Sequence, residues 1–339
     1  MTSKALVLPA IYTNVAGEVI GEVVSELYDL GPVLRCQLIV RGNNDVYLVR
    51  TATGRYVARL SHRQVRGPSN VAYETALLAF LKAAGAPVAA AIAARDGRLW
   101  RLLTAGEGER AFAVFEHLPG QAAGVEPADA AAQGEALAQI HRDAAGFDSA
   151  PSLYRNDLDA ILRQPMRLLI DVPYLKDELR ARIERVAGQV EARLTPLLDG
   201  LDWRVCHGDP LGVNAHVRPL DDGSLAAAYF DFENACPSWV AHDLAMYFER
   251  IARRGAVGAF DDGQRRQWSA FVQGYERVRS IGPKDYAAIA AFAPVRRLYW
   301  PAYFAGRIHE WGSSNLQPAW VATHLDAAER WLDVETPPA

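Results

Sequence analysis

A chain of 339 residues, half of them hydrophobic and 22% charged, can bury a substantial core, and its length fits two lobes better than one compact unit. A net charge of −4 with no long basic stripe argues against a nucleic-acid partner. Cys36, Cys206 and Cys236 are few and widely spaced, so they read as small buried residues in a reducing compartment, not as a disulfide framework or a zinc site.

Residues 1–21 show no charged segment followed by a long apolar run, and no stretch is apolar for long enough to cross a bilayer. The expectation is a cytoplasmic protein with no membrane partner. From 33 to 61 the pattern alternates and turns: VLRCQLIV and DVYLVRT read as strands joined by RGNN, and ATG leads into a third strand, RYVARLS. Residues 69–84 space Val71, Leu77, Leu78 and Leu81 along a helix that Gly85 stops. GRLWRLLT and RAFAVFEHL read as two further strands, and HLPGQAAG as a linker. Beyond residue 127 the texture becomes helical, over 127–144, 174–198, 241–254, 264–280, 283–310 and 318–335. Two strand-like pieces, DWRVCHGD and LAAAYFDFE, interrupt the helices and read as a small strand pair. The predicted architecture is α+β in two lobes. Residues 1–117 form an antiparallel sheet with one main helix, and residues 118–339 a larger, mostly helical lobe.

The sharpest chemical signal is HGDPLGVN, His207 to Asn214, on a loop after the strand WRVC, followed by Asp231 in YFDFE at the end of a second apolar strand. Phosphoryl transfer needs a carboxylate beside the attacking hydroxyl and oxygen ligands that hold Mg²⁺ against the phosphates. Asp209, Asn214 and Asp231 supply these in the order and spacing of the catalytic and metal loops of protein kinases. The competing reading makes them turn residues and a strand-end cap. No GxxxxGK[ST] run is present, which argues against a Walker-type ATPase. The turn from Arg41 to Asp45, with Asn43 and Asn44 at its tip, reads equally as a phosphate-covering loop or as a plain hairpin.

With these motifs the chain resembles the aminoglycoside phosphotransferase and choline kinase superfamily. The resemblance rests on His207-Gly208-Asp209, Asn214, Asp231-Phe232 and Asp243-Leu244-Ala245, and extends to RGNNDVYLVRTATGRYVARL and GEALAQIHR. Within that superfamily it looks closest to the homoserine-kinase-like and bacterial stress-response-kinase-like branches, from RAFAVFEHLPG and PVRRLYWPAYFAGRIHEW. The resemblance implies a two-lobe protein-kinase-like fold that uses ATP, or GTP, with Mg²⁺. It implies Asp209 as the catalytic base and Asn214 and Asp231 as metal ligands. Asp243 would brace the catalytic loop, with a structural role for His207. The strand lysine expected by the family is replaced by Arg59, facing Glu74 on the helix, and a surface strand arginine with a solvent-facing glutamate is the bland alternative. Asn43 and Asn44 would cover the phosphates, and adenine would lie against the backbone of Glu116 to Leu118.

The acceptor implied is a hydroxyl on a small molecule, with a protein Ser/Thr side chain or a nucleotide-binding pseudokinase as the alternatives, and the oligomeric state is left open. Pro210-Leu211-Gly212-Val213, Glu233-Asn234-Ala235 and His216 depart from the family's pattern on the acceptor side. Arg296, Tyr299, Trp300, Tyr303, Arg307, His309, Glu310 and Trp311 crowd one helical segment, as core packing or as an acceptor wall. Arg250, Arg253, Arg254, Arg296, Arg297 and Arg307 outnumber Glu233, Glu249 and Glu310 there. The expected acceptor is therefore small, with a hydroxyl and a carboxylate held by an Arg fork and an aromatic wall.

Overall fold

The computed structural model describes residues 9–62, 67–148, 152–252 and 260–338. Arg253 and Arg254, singled out in the sequence, lie outside the described residues, as does the end of the helix expected over 241–254. The chain divides into two compact units, one of Met1–Leu118 with Asp148–Leu153, the other of Pro119–Phe147 with Tyr154–Ala339.

The first unit contains α1 (Gly17–Leu27), β1 (Val33–Arg41), β2 (Asn44–Thr51), β3 (Arg55–Ser61), α2 (Gly67–Ala83), β4 (Arg101–Ala105) and β5 (Gly108–Glu116). Its strands form one antiparallel sheet in the order β1-β2-β3-β5-β4. Tyr47 and Val49, two apart on β2, point to the face where Ala58, Leu60, Phe112 and Val114 meet Ile20, Val24 and Tyr28 of the α1 side. The α1 helix is an addition to the elements read from the sequence. Its fully buried side chains close this core.

The second unit contains β6 (Gln121–Ala122), α3 (Pro127–Ala144), a π-turn at Asp159–Arg163 leading into α4 (Gln164–Ile170), α5 (Asp177–Leu194), β7 (Trp203–Cys206), β8 (Ala215–Pro219) and β9 (Leu225–Tyr229). It continues through β10 (Cys236–Trp239), α6 (Val240–Ala252), α7 (Asp262–Glu276), α8 (Pro283–Gly306), α9 (Ile308–Trp311) and α10 (Pro318–Trp331). The two strand-like pieces read as a pair belong to different sheets. β7 pairs with β10, and β9 with β8, which in turn pairs with β6. The physical reason is that β9 is taken by β8, to which a short hairpin joins it, and β10, after the 232–234 turn, runs back along β7.

Three features set the helical frame around the site. α3 and α7 cross at Gly134 and Gly274, where an added Cβ would come within 2.0 Å of the carbonyls of Phe271 and Ala131 respectively, so only glycine permits the approach. α7 starts at a reciprocal capping box, Asp261 with Gln264, both bonds at 2.8 Å. α8 carries Pro294 and Pro301 in its interior. Pro301 has no N–H for the carbonyl of Arg297 one turn back, and the His324 ring takes that oxygen from α10 at 2.9 Å.

Candidate active site

The catalytic-loop motif leaves β7 at Cys206 and turns at Gly208, whose φ of +82° is a left-handed conformation. An added Cβ there would stand 2.2 Å from the carbonyl of Asn234, so the loop lies directly on the turn that follows Asp231. The buried His207 ring is held at both nitrogens: the Asp209 N–H donates to Nδ1 at 3.2 Å, and Nε2 lies 3.1 Å from the carbonyl of Phe230. Nδ1 accepts and Nε2 donates, which fixes the neutral tautomer. Burial pushes the His207 pKa below its ordinary value, in agreement with that tautomer. The ring packs against Tyr229 and Phe232, and its role is to shape the loop.

Asp243, fully buried on α6, accepts from the backbone N–H groups of His207 at 3.0 Å and Gly208 at 2.8 Å. His141 Nε2 on α3 lies 2.9 Å from the same carboxylate, while its Nδ1 meets the Tyr275 hydroxyl at 2.8 Å. The Arg279 guanidinium donates to that hydroxyl at 2.9 Å. Burial alone would raise the Asp243 carboxyl. Hydrogen bonds from His141 and from the loop amides outweigh it and hold the group below the usual carboxylate range. For His141 the balance goes the other way, with burial pushing its pKa down in spite of Asp243. His141, Cys206 and Asp243 converge closely enough to suggest a metal cluster. Both Asp243 oxygens already accept hydrogen bonds, however, so the trio is a brace for the loop.

Asn214, one-tenth exposed, donates through Nδ2 to the carbonyl of Asp209 at 3.0 Å and to its Oδ2 at 3.3 Å. This fixes the amide flip and leaves Oδ1 as the outward acceptor. The Asn214 carbonyl accepts from the Phe230 N–H at 3.0 Å, and Ala215 pairs with Tyr229 across β8 and β9. Asp209, Asn214 and Asp231 are thereby carried on two loops joined by one sheet register. Asp231 itself has φ 66° and ψ 62°, the single left-handed residue other than glycine among the described residues. A non-glycine side chain in this region costs energy and clusters at functional sites.

In the first unit Arg59 on β3 and Glu74 on α2 form a buried two-pronged pair, NH1 to Oε1 at 2.8 Å and NH2 to Oε2. The Phe115 ring lies 4.8 Å from the guanidinium. The surface-pair alternative does not hold for two side chains that are 7% and 1% exposed. Asn43 and Asn44 sit at the β1–β2 turn, where the carbonyl of Asn43 accepts from the His62 N–H at 3.1 Å and that of Asn44 from the Gly42 N–H at 3.1 Å. The Glu116 N–H is taken by the carbonyl of Ala90 at 3.0 Å and its carboxylate by Lys82 at 2.7 Å, so that amide is not available to a base; Leu118 is buried.

The sequence left Arg296 between core packing and an acceptor wall, and the structure sets it beside Asp209. Arg296 NH2 on α8 lies 3.0 Å from Asp209 Oδ1. His141 and Tyr275 were missed as parts of the brace; His141 stands in GEALAQIHR, but nothing local to that run marks it as a partner of Asp243.

The description "Phosphotransferase enzyme family" matches residues 37–281 of the chain. An uncharacterized protein of Deinococcus radiodurans is 35% identical over 95% of this chain and 92% of its own. A homoserine kinase of Caulobacter sp. (strain K31) is 30% identical, covering 90% of each. Among solved structures, a microcompartment-associated aminopropanol kinase is similar at a TM-score of 0.75 and 20% identity, over 93% of this chain and 97% of that one. The amicoumacin kinase hAmiN, in complex with AMP-PNP, Ca²⁺ and Ami, is similar at a TM-score of 0.73 and 16% identity, over 92% of each.

Proposed function

The chain belongs to the phosphotransferase enzyme family, and from that premise we propose that this kinase moves the γ-phosphoryl group of ATP to the hydroxyl of a small molecule. The observation that carries the reading is the Asn214 amide, whose Nδ2 is tied to Asp209 while its backbone is tied to the strand end before Asp231. That arrangement supports one carboxylate for the acceptor and two oxygen donors, Asn214 Oδ1 and the Asp231 carboxylate, for a divalent cation. Hard oxygen donors in this small number suit Mg²⁺, which keeps water and phosphate oxygens in the rest of its shell. When bound, Mg²⁺ supplies charge neutralisation at the phosphates.

The chain's own residues do the rest. Asp209 orients the acceptor hydroxyl and takes its proton as the new oxygen–phosphorus bond forms and the bond to the ADP oxygen breaks. His207 and Asp243 keep that carboxylate in place through the loop backbone. Arg59, fixed by Glu74, offers a permanent cation for phosphate oxygens. The relatives named homoserine kinase and the aminopropanol kinase fold support a small acceptor. ADP release measured with and without Mg²⁺, in the presence of a panel of small alcohols, tests the reading. An ADP rate indifferent to both Mg²⁺ and the Asp209→Asn change would overturn it.

A further inference from the structure

The charged groups along α8 differ in how they are matched. Arg297 pairs with the buried Glu249 at 2.6 Å, and Arg307 pairs with Glu310 at 3.0 and 2.6 Å while resting against Tyr303. Arg296 instead faces the catalytic carboxylate. Its NH2 is 3.0 Å from Asp209 Oδ1, yet that oxygen accepts no hydrogen bond, and the buried Nε–H of Arg296 has none to give to. The guanidinium, on a residue one-tenth exposed, rests over the rings of Trp300 at 5.0 Å and Tyr299 at 5.6 Å. The contact is thus an imperfect ion pair: the charges meet, but neither group has its hydrogen bonds filled.

An acceptor that completes this arrangement must bring a hydroxyl for Asp209 Oδ1 and an oxyanion for the guanidinium. A cationic acceptor would set its charge against Arg296 next to the reacting hydroxyl, which electrostatic complementarity disfavours. Residues 296, 299, 300 and 303 recur at helical spacing on one face, so the half-exposed Tyr299, Trp300 and Tyr303 continue the same wall away from Asp209. This wall suits a short carbon chain between the two polar ends.

Building on the kinase reading above, we propose that Arg296 is the specificity residue of the acceptor site, and that it selects a compact hydroxy acid by taking the acceptor's carboxylate and so releasing Asp209 to the hydroxyl. In the acceptor-free state Arg296 restrains the base. In the transfer the hydroxyl oxygen bonds to the γ-phosphorus, the bond to ADP breaks, and the hydroxyl proton passes to Asp209, with the acceptor carboxylate left unchanged on Arg296.

The test uses the full chain with ATP and Mg²⁺ and three acceptors of one carbon skeleton: γ-hydroxybutyrate, butanediol and aminobutanol. Wild type is expected to rank them acid, then diol, then amine in kcat/KM. Arg296→Gln should lower the value for the acid by about 10- to 100-fold, chiefly through KM, as expected for loss of a charged hydrogen bond, and leave the amine equal or improved. Arg296→Lys keeps the charge and should retain the ranking, and it decides the matter if the glutamine variant does not fold. Equal losses for all three acceptors, or a wild-type preference for the amine, would overturn the assignment of Arg296. Absence of turnover with all three, while ADP release still depends on Asp209, rejects the compact hydroxy acid and leaves the kinase reading standing. ADP release indifferent to Asp209→Asn removes the kinase reading itself.

Discussion

Gly208 offers a test in which the energetic contributions separate. Its φ of +82° is shared by Gly223 in the β8–β9 turn, but an added Cβ meets nothing within 4 Å at Gly223 and the Asn234 carbonyl at 2.2 Å at Gly208. Gly223→Ala therefore carries only the left-handed penalty, about 1–2 kcal/mol. Gly208→Ala carries that penalty and the overlap with a backbone atom that cannot rotate away, about 1–3 kcal/mol more. The loss should total about 2–5 kcal/mol in denaturant melts. The overlap can be relieved only by moving the Asp209 loop off the turn after Asp231. Turnover should therefore fall in the folded fraction of Gly208→Ala, whereas Gly223→Ala should keep its rate. Equal stability losses in the two variants, with full activity in both, would refute the idea that close packing of these two loops sets the site.

Asp209→Asn should keep nucleotide binding, measured by calorimetry, while turnover falls about 10²- to 10⁴-fold, because base and orientation alone are lost. Arg59→Ala leaves the 1% exposed Glu74 side chain without its cation; a loss of about 3–5 kcal/mol in melts and a raised KM for ATP are expected. Arg59→Lys, which keeps the charge, should lose less on both counts, and an unchanged KM in the alanine variant would make Arg59 a bystander. Burial lowers the pKa of His141 and His207, and holds His242 at about 4, all from an ordinary 6.5. The unfolded chain then binds more protons than the folded one below pH 6.5, so stability is full above that pH and falls as pH drops through 6 and 5, by up to about 1.4 kcal/mol per pH unit for each histidine. Melts from pH 7.5 to 5 that stay flat, or that rise on acidification, would count against the neutral tautomers.

Much of the candidate site's geometry was legible because its defining bonds are local. Asn214 reaches Asp209 across five residues, inside one motif. The strand-end Asp231 could be read too, because an apolar strand before an Asp-Phe pair is a short pattern. Non-local partners left no such trace. His141 and Asp243 are 102 positions apart, and the Arg296 contact joins α8 to a loop before β8. α1 was hidden for another reason: its start has Gly17 and no side-chain cap, so the Val19, Ile20, Val23, Val24 and Leu27 pattern lacked a helix-start signal. β10 is four residues with a proline, and it is recognisable only from its register against β7, which sets Trp239 edge-on to Trp203 at 4.9 Å.

The brace also explains how Asp209, the proposed base, is held on its loop by helices. Among the described residues Asp243 is a buried carboxylate whose hydrogen-bond partners are three N–H groups and no guanidinium or ammonium: two from the His207–Asp209 loop and one from a neutral His141. Its charge is balanced only while the loop amides point at it, so shifting the loop leaves a buried anion short of donors. Of the helices supplying the brace, α3 and α7 are locked together by the Gly134–Gly274 crossing and the Tyr275–His141 hydrogen bond, and α6 is tied to α3 by Asp243 and His141. The same electrostatic cost that penalises a bare carboxylate thus fixes the backbone from which Asp209 projects. Asp209 itself stays partly exposed, with Arg296 as the one cation beside it among the described residues.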